Sequence, residues 1–208
     1  MNFEGIFTAF FLFAVLGFYF LLSRIRRRRY RKFSERFHGE YRSEGFFDPG
    51  SISANIEDRP FKIETDKTCA MPFGSTYGTT VSVSCRYEGR RVMIRRGFFR
   101  NFPDWKHVGL REPEKTGFKV LLKPSGRKPV ETEEDKSWIL SLFQADALNP
   151  REILKLLQMP LAGSGLFFLT LNEVEIWMPG ILDRADRYEK ILGLLHRVAG
   201  RLDKPLLT

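Results

Sequence analysis

The chain has 208 residues and carries 34 Lys/Arg against 25 Asp/Glu, a formal net charge of +9, with 20 Phe and 2 Cys. The charge is local: Arg24–Arg36 holds eight basic residues and Glu35, Glu4 subtracts one, and residues 37–208 keep only +3. A bulk DNA-binding surface needs a basic footprint on the folded body itself, so nucleic acid is disfavoured as a partner. Cys69 and Cys85 have neither CxxC spacing nor neighbouring histidines, which gives no pattern for a disulfide framework or a metal site.

Residues 1–4 form a short N-terminus, and Gly5–Ser23 is an uncharged apolar run. As a helix its 19 residues span about 28 Å at roughly 1.5 Å per residue, which matches the roughly 30 Å hydrocarbon core of a bilayer. A signal peptide would carry its positive charge before the apolar run and a small-residue cleavage pattern after it. Here Met1–Glu4 has no Lys or Arg, and arginines follow the run. Phe and Leu occupy every helical face, unlike the single apolar stripe of a surface helix. The run therefore reads as a retained membrane anchor. Within it Gly5, Ala9, Phe13 and Gly17 recur at multiples of four, a spacing at which small residues let membrane helices pack closely.

Residues 24–44 read as a basic juxtamembrane stalk. Its Arg24, Arg26, Arg27, Arg28, Arg29, Arg31 and Lys32 form a collar that sets topology, because basic flanks remain cytoplasmic, and that attracts anionic lipid headgroups. The expected arrangement is a single pass through a cell inner membrane, with the N-terminus outside and the C-terminal part in the cytoplasm. Tyr30, Phe33, Phe37 and Tyr41 keep helical spacing, so the anchor helix is expected to continue as an aromatic-faced stalk ending before Phe47.

Residues 45–208 read as one α+β domain. From Ser51 the apolar period becomes two, through Ile52, Ala54 and Ile56. Glu57–Pro60 turns the chain and Phe61, Ile63 and Thr65 alternate again, a hairpin. Lys67–Gly78, with Pro72, Gly74 and Gly78, reads as a loop. A second hairpin is expected from Thr79–Arg86 returning through Arg90–Arg96, with Tyr87-Glu88-Gly89 as its turn. Gly97–Gly109 follows as an aromatic loop.

Phe118–Leu122 and Trp138–Phe143 read as strands on either side of the polar Pro124–Lys136. A helix should then start with Asn149 as cap, Pro150 at the first position and Glu152 at the third, and stop at Pro160. Leu166–Leu171 and Val174–Met178 form a third hairpin. A last helix runs from Asp183, a candidate cap, to about Leu202, with Leu182, Ala185, Tyr188, Ile191, Leu192, Leu195, Val198, Ala199 and Leu202 building its apolar face. Hairpins throughout with helices late argue a mainly antiparallel sheet with about two helices on one face.

The basic collar, the Arg59-Pro60-Phe61 strand start and the closing strand pair and helix from Leu166 to Leu202 give the chain a layout that resembles uncharacterised bacterial single-span membrane proteins with a cytosolic α+β domain. The resemblance implies that layout alone.

Two surfaces of the domain are candidates for partner contact. The second expected hairpin carries Arg91, Arg95 and Arg96, and the loop after it carries Phe98, Phe99, Arg100, Phe102 and Trp105. Aromatics and arginine dominate interface hot spots. His38, His107 and His196 fall on separate elements without a nucleophile beside them, and Gly163-Ser164-Gly165 precedes a strand, whereas phosphate-cradling glycines precede a helix. No catalytic residue, cofactor or metal is expected. The functional expectation is a non-catalytic accessory or scaffold subunit of a larger membrane complex of respiratory, photosynthetic or transport type. The alternative is a membrane-tethered module that binds anionic lipid or nucleic acid through the arginine hairpin.

Overall fold

The computed structural model of the chain describes residues 3–43, 45, 50–71, 74–87, 91–96, 105–108, 118–123, 133–144, 148–149, 152–153, 157, 165–180 and 184–203. Helix α1 runs unbroken from Phe3 to Arg36, so the apolar run and the basic stalk are one element. Its first part is long and apolar enough to cross a membrane, and the side chains from Gly5 to Leu21 are exposed. The helix stops as His38 turns left-handed (φ 51). The Gly39 amide donates to the Ser34 carbonyl at 2.8 Å and the His38 amide to Glu35 at 3.2 Å, which together satisfy the last carbonyls of the helix. Tyr41, expected on the helical face, lies instead in strand β1 (Glu40–Arg42).

The remaining strands are β2 (Ser51–Ile56), β3 (Arg59–Met71), β4 (Gly74–Ser84), β5 (Val92–Arg96), β6 (Lys106–Val108), β7 (Phe118–Leu122), β8 (Leu166–Thr170) and β9 (Glu173–Pro179). They form one sheet in the order β1-β2-β3-β4-β9-β8-β5-β7-β6, and every pairing is antiparallel. The expected first and third hairpins are both present. The first turns at Glu57 and Asp58 alone and leaves Pro60 in β3. The third turns through Leu171 and Asn172, with Asn172 left-handed at φ 67.

Three expectations are corrected. The stretch 67–78 is not a loop: β3 and β4 pair as far as Met71↔Gly74, with one extra β3 residue between Asp66 and Cys69. Such a bulge locally twists and bends its strand. Gly78 sits inside β4, and a Cβ there would collide with the Trp177 indole on neighbouring β9, so the glycine marks a close approach and not a chain break.

The second hairpin does not form. β4 pairs with β3 and β9, whereas β5 lies between β8 and β7. After β4 the chain is bound to the third hairpin: the Cys85 amide donates to Asn172 O at 2.8 Å, and the Asn172 amide to Tyr87 O at 3.1 Å. Trp138–Phe143 is helical, within α2 (Glu133–Gln144). Ile139 and Leu142 are buried and Leu140 is exposed, the pattern of a helix three residues apart rather than of a strand.

Beyond α2, the Glu152 amide donates to Asn149 Oδ1 at 3.4 Å and the Ile153 amide to Asn149 O at 3.2 Å. This is the expected cap; Pro150 and Pro160 lie outside the described residues. Helix α3 spans Ala185–Leu202, and its N-cap Arg184 makes no side-chain capping bond. Asp183 lies outside the described residues. Tyr188, Ile191, Leu192, Leu195, Val198, Ala199 and Leu202 are buried as expected, and Leu194 with them, whereas Ala185 in the first turn is exposed; Leu182 lies outside the described residues.

One face of the sheet carries the main core. Ile52, Phe61, Ile63, Val81, Val83, Ile94, Val120, Phe167 and Ile176 pack there against α2, α3 and the basic end of α1. The opposite face is polar over β1–β4 and holds a smaller cluster, Met93, Leu121, Leu166 and Trp177, over the rest. The α+β layout with its helices on one face is therefore present.

Candidate functional site

The basic end of α1 is built into the core. Tyr30, Phe33 and Ser34 are buried, and Phe37 packs on the same cluster. At 3.6 residues per turn these four positions share one side of the helix. Tyr30 and Phe33 meet Tyr188 of α3 at ring-centroid distances of 5.8 and 5.3 Å, and Phe37 meets Phe61 of β3 at 5.3 Å. The Tyr30 hydroxyl lies 2.5 Å from the Tyr188 hydroxyl and 3.3 Å from Thr65 Oγ1. Burial raises the Tyr30 pKa above its ordinary value despite these bonds. Arg36 pairs with Glu189 at 2.5 Å, and Arg27 donates to the Gly45 carbonyl.

The collar divides around this contact. Arg26 and Arg27 are half-buried on the domain side, while Arg24, Arg28, Arg29, Arg31 and Lys32 are exposed. Further up the helix, Phe13 is among the exposed residues, and a Cβ on Gly5 or Gly17 would meet nothing within 4 Å. Gly5, Ala9, Phe13 and Gly17 thus remain an open helical face with no contact to the domain.

The far end of the domain is clamped separately. Arg59 pairs with Asp203 Oδ2 at 2.5 Å, and the Arg86 amide donates to Asp203 Oδ1 at 2.6 Å. Burial works against the charge, yet the Arg86 amide and Arg59 guanidinium hold Asp203 below the usual carboxylate range. Cys85 lies beside this clamp, and burial pushes its thiol up to about 12.

Of the expected arginine surface the structure describes the side chains of Arg91 and Arg95. Arg91 is exposed, but Arg95 is buried on the second face, where burial lowers its pKa. That face also carries Glu175, whose pKa burial raises while its carboxylate accepts from the Thr170 hydroxyl at 3.1 Å. Trp105 packs against Phe168 at 6.1 Å and so caps the sheet. The side chain of Arg96 and residues Phe98, Phe99, Arg100 and Phe102 lie outside the described residues.

The histidines stay apart. His38 ends α1, His107 pairs with Leu121 in the sheet, and His196 on α3 contacts Glu57 at 3.0 Å. Among the described residues no group of three His, Cys, Asp or Glu lies close enough to hold a metal ion. An open groove of about 760 Å³ crosses the polar face between His38, Asn55, Lys62 and Ser82. Its Lys62 is paired with Glu64 at 2.5 Å, and Glu40 with Arg42 at 2.8 Å.

Sequence reasoning found the aromatic face of the stalk but not its destination. The spacing of Tyr30, Phe33 and Phe37 marked an aromatic helical face, and Tyr188 and Phe61 cover it. The arrangement defines a class: an antiparallel α+β domain with a long apolar N-terminal helix fixed to its core. Comparison with protein families, with characterised proteins and with solved structures finds no match to this chain.

Proposed function

We propose that the protein is a single-span, non-catalytic accessory or scaffold subunit of a larger membrane complex of respiratory, photosynthetic or transport type. Its helix crosses a cell inner membrane with the N-terminus outside, and its domain stands in the cytoplasm. The observation that supports this reading is the continuity of α1 into the core through Tyr30, Phe33 and Ser34. A recruitment module works from a flexible tether, which leaves its domain free to search. A helix locked to its domain holds both at one distance and angle, as a spacer between membrane and cytoplasmic partners requires. The open face of Gly5, Ala9, Phe13 and Gly17 is then available to a partner helix, and the collar to anionic headgroups.

The separation of β4 from β5 and the burial of Arg95 weigh against the alternative, a module that binds through an arginine hairpin. The test is native mass spectrometry of the protein extracted gently from its source membrane. Recovery with other subunits in fixed stoichiometry, unaffected by salt, is the expected result; recovery of the chain alone at high yield would refute the subunit reading. Protease treatment of right-side-out vesicles should spare the domain.

A further inference from the structure

The pattern Arg-x-x-Arg-Tyr occurs in α1 as Arg26, Arg29 and Tyr30, and again at the start of α3 as Arg184, Arg187 and Tyr188. The fold brings the two copies together. The Tyr30 and Tyr188 hydroxyls lie 2.5 Å apart, and the Tyr30 hydroxyl is 3.3 Å from Thr65 Oγ1. Both tyrosines therefore stand at the Thr65 level of β3.

Both helices leave that level in the same direction. On α1, Phe37 packs on Phe61 of β3, so seven helical residues, about 10 Å, run beside four strand residues, about 13 Å. On α3, Asp203 pairs with Arg59 at the start of β3, so fifteen helical residues, about 22 Å, run beside six strand residues, about 20 Å. Each helix is close to antiparallel to β3, and the two are close to parallel to each other. Followed back from its tyrosine, α1 enters the apolar run, and α3 points the same way.

The depths agree. The apolar run ends at Ser23, seven residues or about 10 Å on the membrane side of Tyr30. Arg26 and Arg184 each stand one turn, about 6 Å, on the membrane side of their tyrosines. Both thus lie about 4 Å beyond the end of the run, inside a headgroup layer about 5–7 Å thick. Arg29 and Arg187 lie at about 9 Å. Side chains lean toward the N-terminus of their own helix, which for both helices is toward the membrane. Arg184 and Arg29 are exposed, and Arg26 and Arg187 are half-buried. Of the acids described beside them, Asp186 accepts from Arg184 at 3.2 Å, and Glu189 is paired with Arg36 at 2.5 Å.

Resting on the single-span reading, we infer that the start of α3 is a second contact with the lipid surface. Arg184 and Arg187 extend the collar from the anchor helix onto the domain, and Arg26 and Arg184 hold anionic phospholipid headgroups at one depth. Anchor and domain then touch the bilayer at two points, which sets the tilt of the domain.

The experiment uses the full chain in vesicles of phosphatidylcholine with a minority of phosphatidylglycerol. Electron paramagnetic resonance of spin-labelled phosphatidylglycerol or phosphatidylcholine reads how much of each lipid is immobilised beside the protein. The expected result is a preference for phosphatidylglycerol that Arg26→Gln and Arg184→Gln each reduce roughly three- to five-fold. Arg197→Gln, on the exposed surface near the other end of α3, should leave it unchanged. Asp186→Asn frees Arg184 and should raise it. Matched thermal melts confirm that the variants fold.

A preference untouched by Arg184→Gln, in a chain that still floats with the vesicles after an alkaline wash, overturns the α3 contact and leaves the anchor standing. Displacement of the lipid by soluble glycerophosphate at matched ionic strength assigns the arginines to a free anion and also overturns it. Release of the chain by the alkaline wash overturns the anchor, and the α3 contact with it.

Discussion

Replacing Tyr30 by alanine tests whether α1 is locked to the domain. Tyr30 is 1% exposed and packs on Tyr41 and Tyr188 at ring-centroid distances of 6.3 and 5.8 Å. Removing a buried aromatic side chain costs about 3–5 kcal/mol, a large share of the roughly 5–15 kcal/mol that stabilises an ordinary domain. For a domain of this size each kcal/mol lowers Tm by about 2–4 °C, so Tyr30→Ala should lower it by roughly 6–20 °C. Tyr30→Phe keeps the ring and removes only the hydroxyl shared with Tyr188 and Thr65, a loss of about 1 kcal/mol. The assay is thermal unfolding of the full chain in mild detergent, followed through near-ultraviolet ellipticity, with trypsin as a second readout. Arg26 and Arg27 are half-covered by the domain, so Tyr30→Ala should speed cleavage in the collar well before the domain melts. An alanine variant that melts with the wild type and is cut no faster would refute the docking.

Gly78→Ala should destabilise the domain by about 1–3 kcal/mol through overpacking, since the new methyl meets the Trp177 indole; intrinsic fluorescence during urea unfolding measures it. Glu175 has a raised pKa in the fold, so its contribution is fully present below its unfolded pKa and is lost as pH rises through the folded one. Glu175→Gln should accordingly raise Tm near neutral pH and flatten the decline of Tm between acid and neutral solution, which a pH series of melts reads directly. His38 holds a left-handed φ of 51 at the end of α1, and His38→Gly should stabilise the chain by up to about 1 kcal/mol, measured by the same melts.

The parts of this fold that were legible in the sequence are those decided within a few residues. The two short hairpins could be read because alternation pauses at Glu57–Pro60 and at Asn172-Glu173, within a residue or two of the actual turns at Glu57-Asp58 and Leu171-Asn172. The buried face of α3 could be read because Tyr188, Ile191, Leu195 and Leu202 keep a helical period. The long-range pairings could not. Strand β4 has the alternation and the Tyr87-Glu88-Gly89 turn of a local hairpin, yet its free edge is taken by β9, about ninety positions later in the chain, and nothing near Val81 encodes that choice. Gly74 and Gly78 look like breakers until Trp177 is seen lying over Gly78. Trp138–Phe143 is rich in strand-favouring residues, but the buried pair Ile139 and Leu142 is helical in spacing. At the candidate site the aromatic stripe was visible, and its partner Tyr188, 158 positions away, was not. The burial of Arg95 follows from the parity of β5, which puts it on the Met93 face beside Leu166.

The central position of β4 has a consequence for how the protein is made. One edge of β4 is held by β3, its neighbour in sequence, and the other by β9, close to the C-terminus. The collar likewise docks on a residue of the final helix. A ribosome will have released the whole of α1 while β9 and α3 are still being translated. The first half of the sheet must therefore wait, with β4 presenting an open edge, until β9 and α3 arrive and close both contacts together. The sheet closes only once β9 and α3 have been made, and a variant that lacks them loses the middle of the sheet as well as a helix.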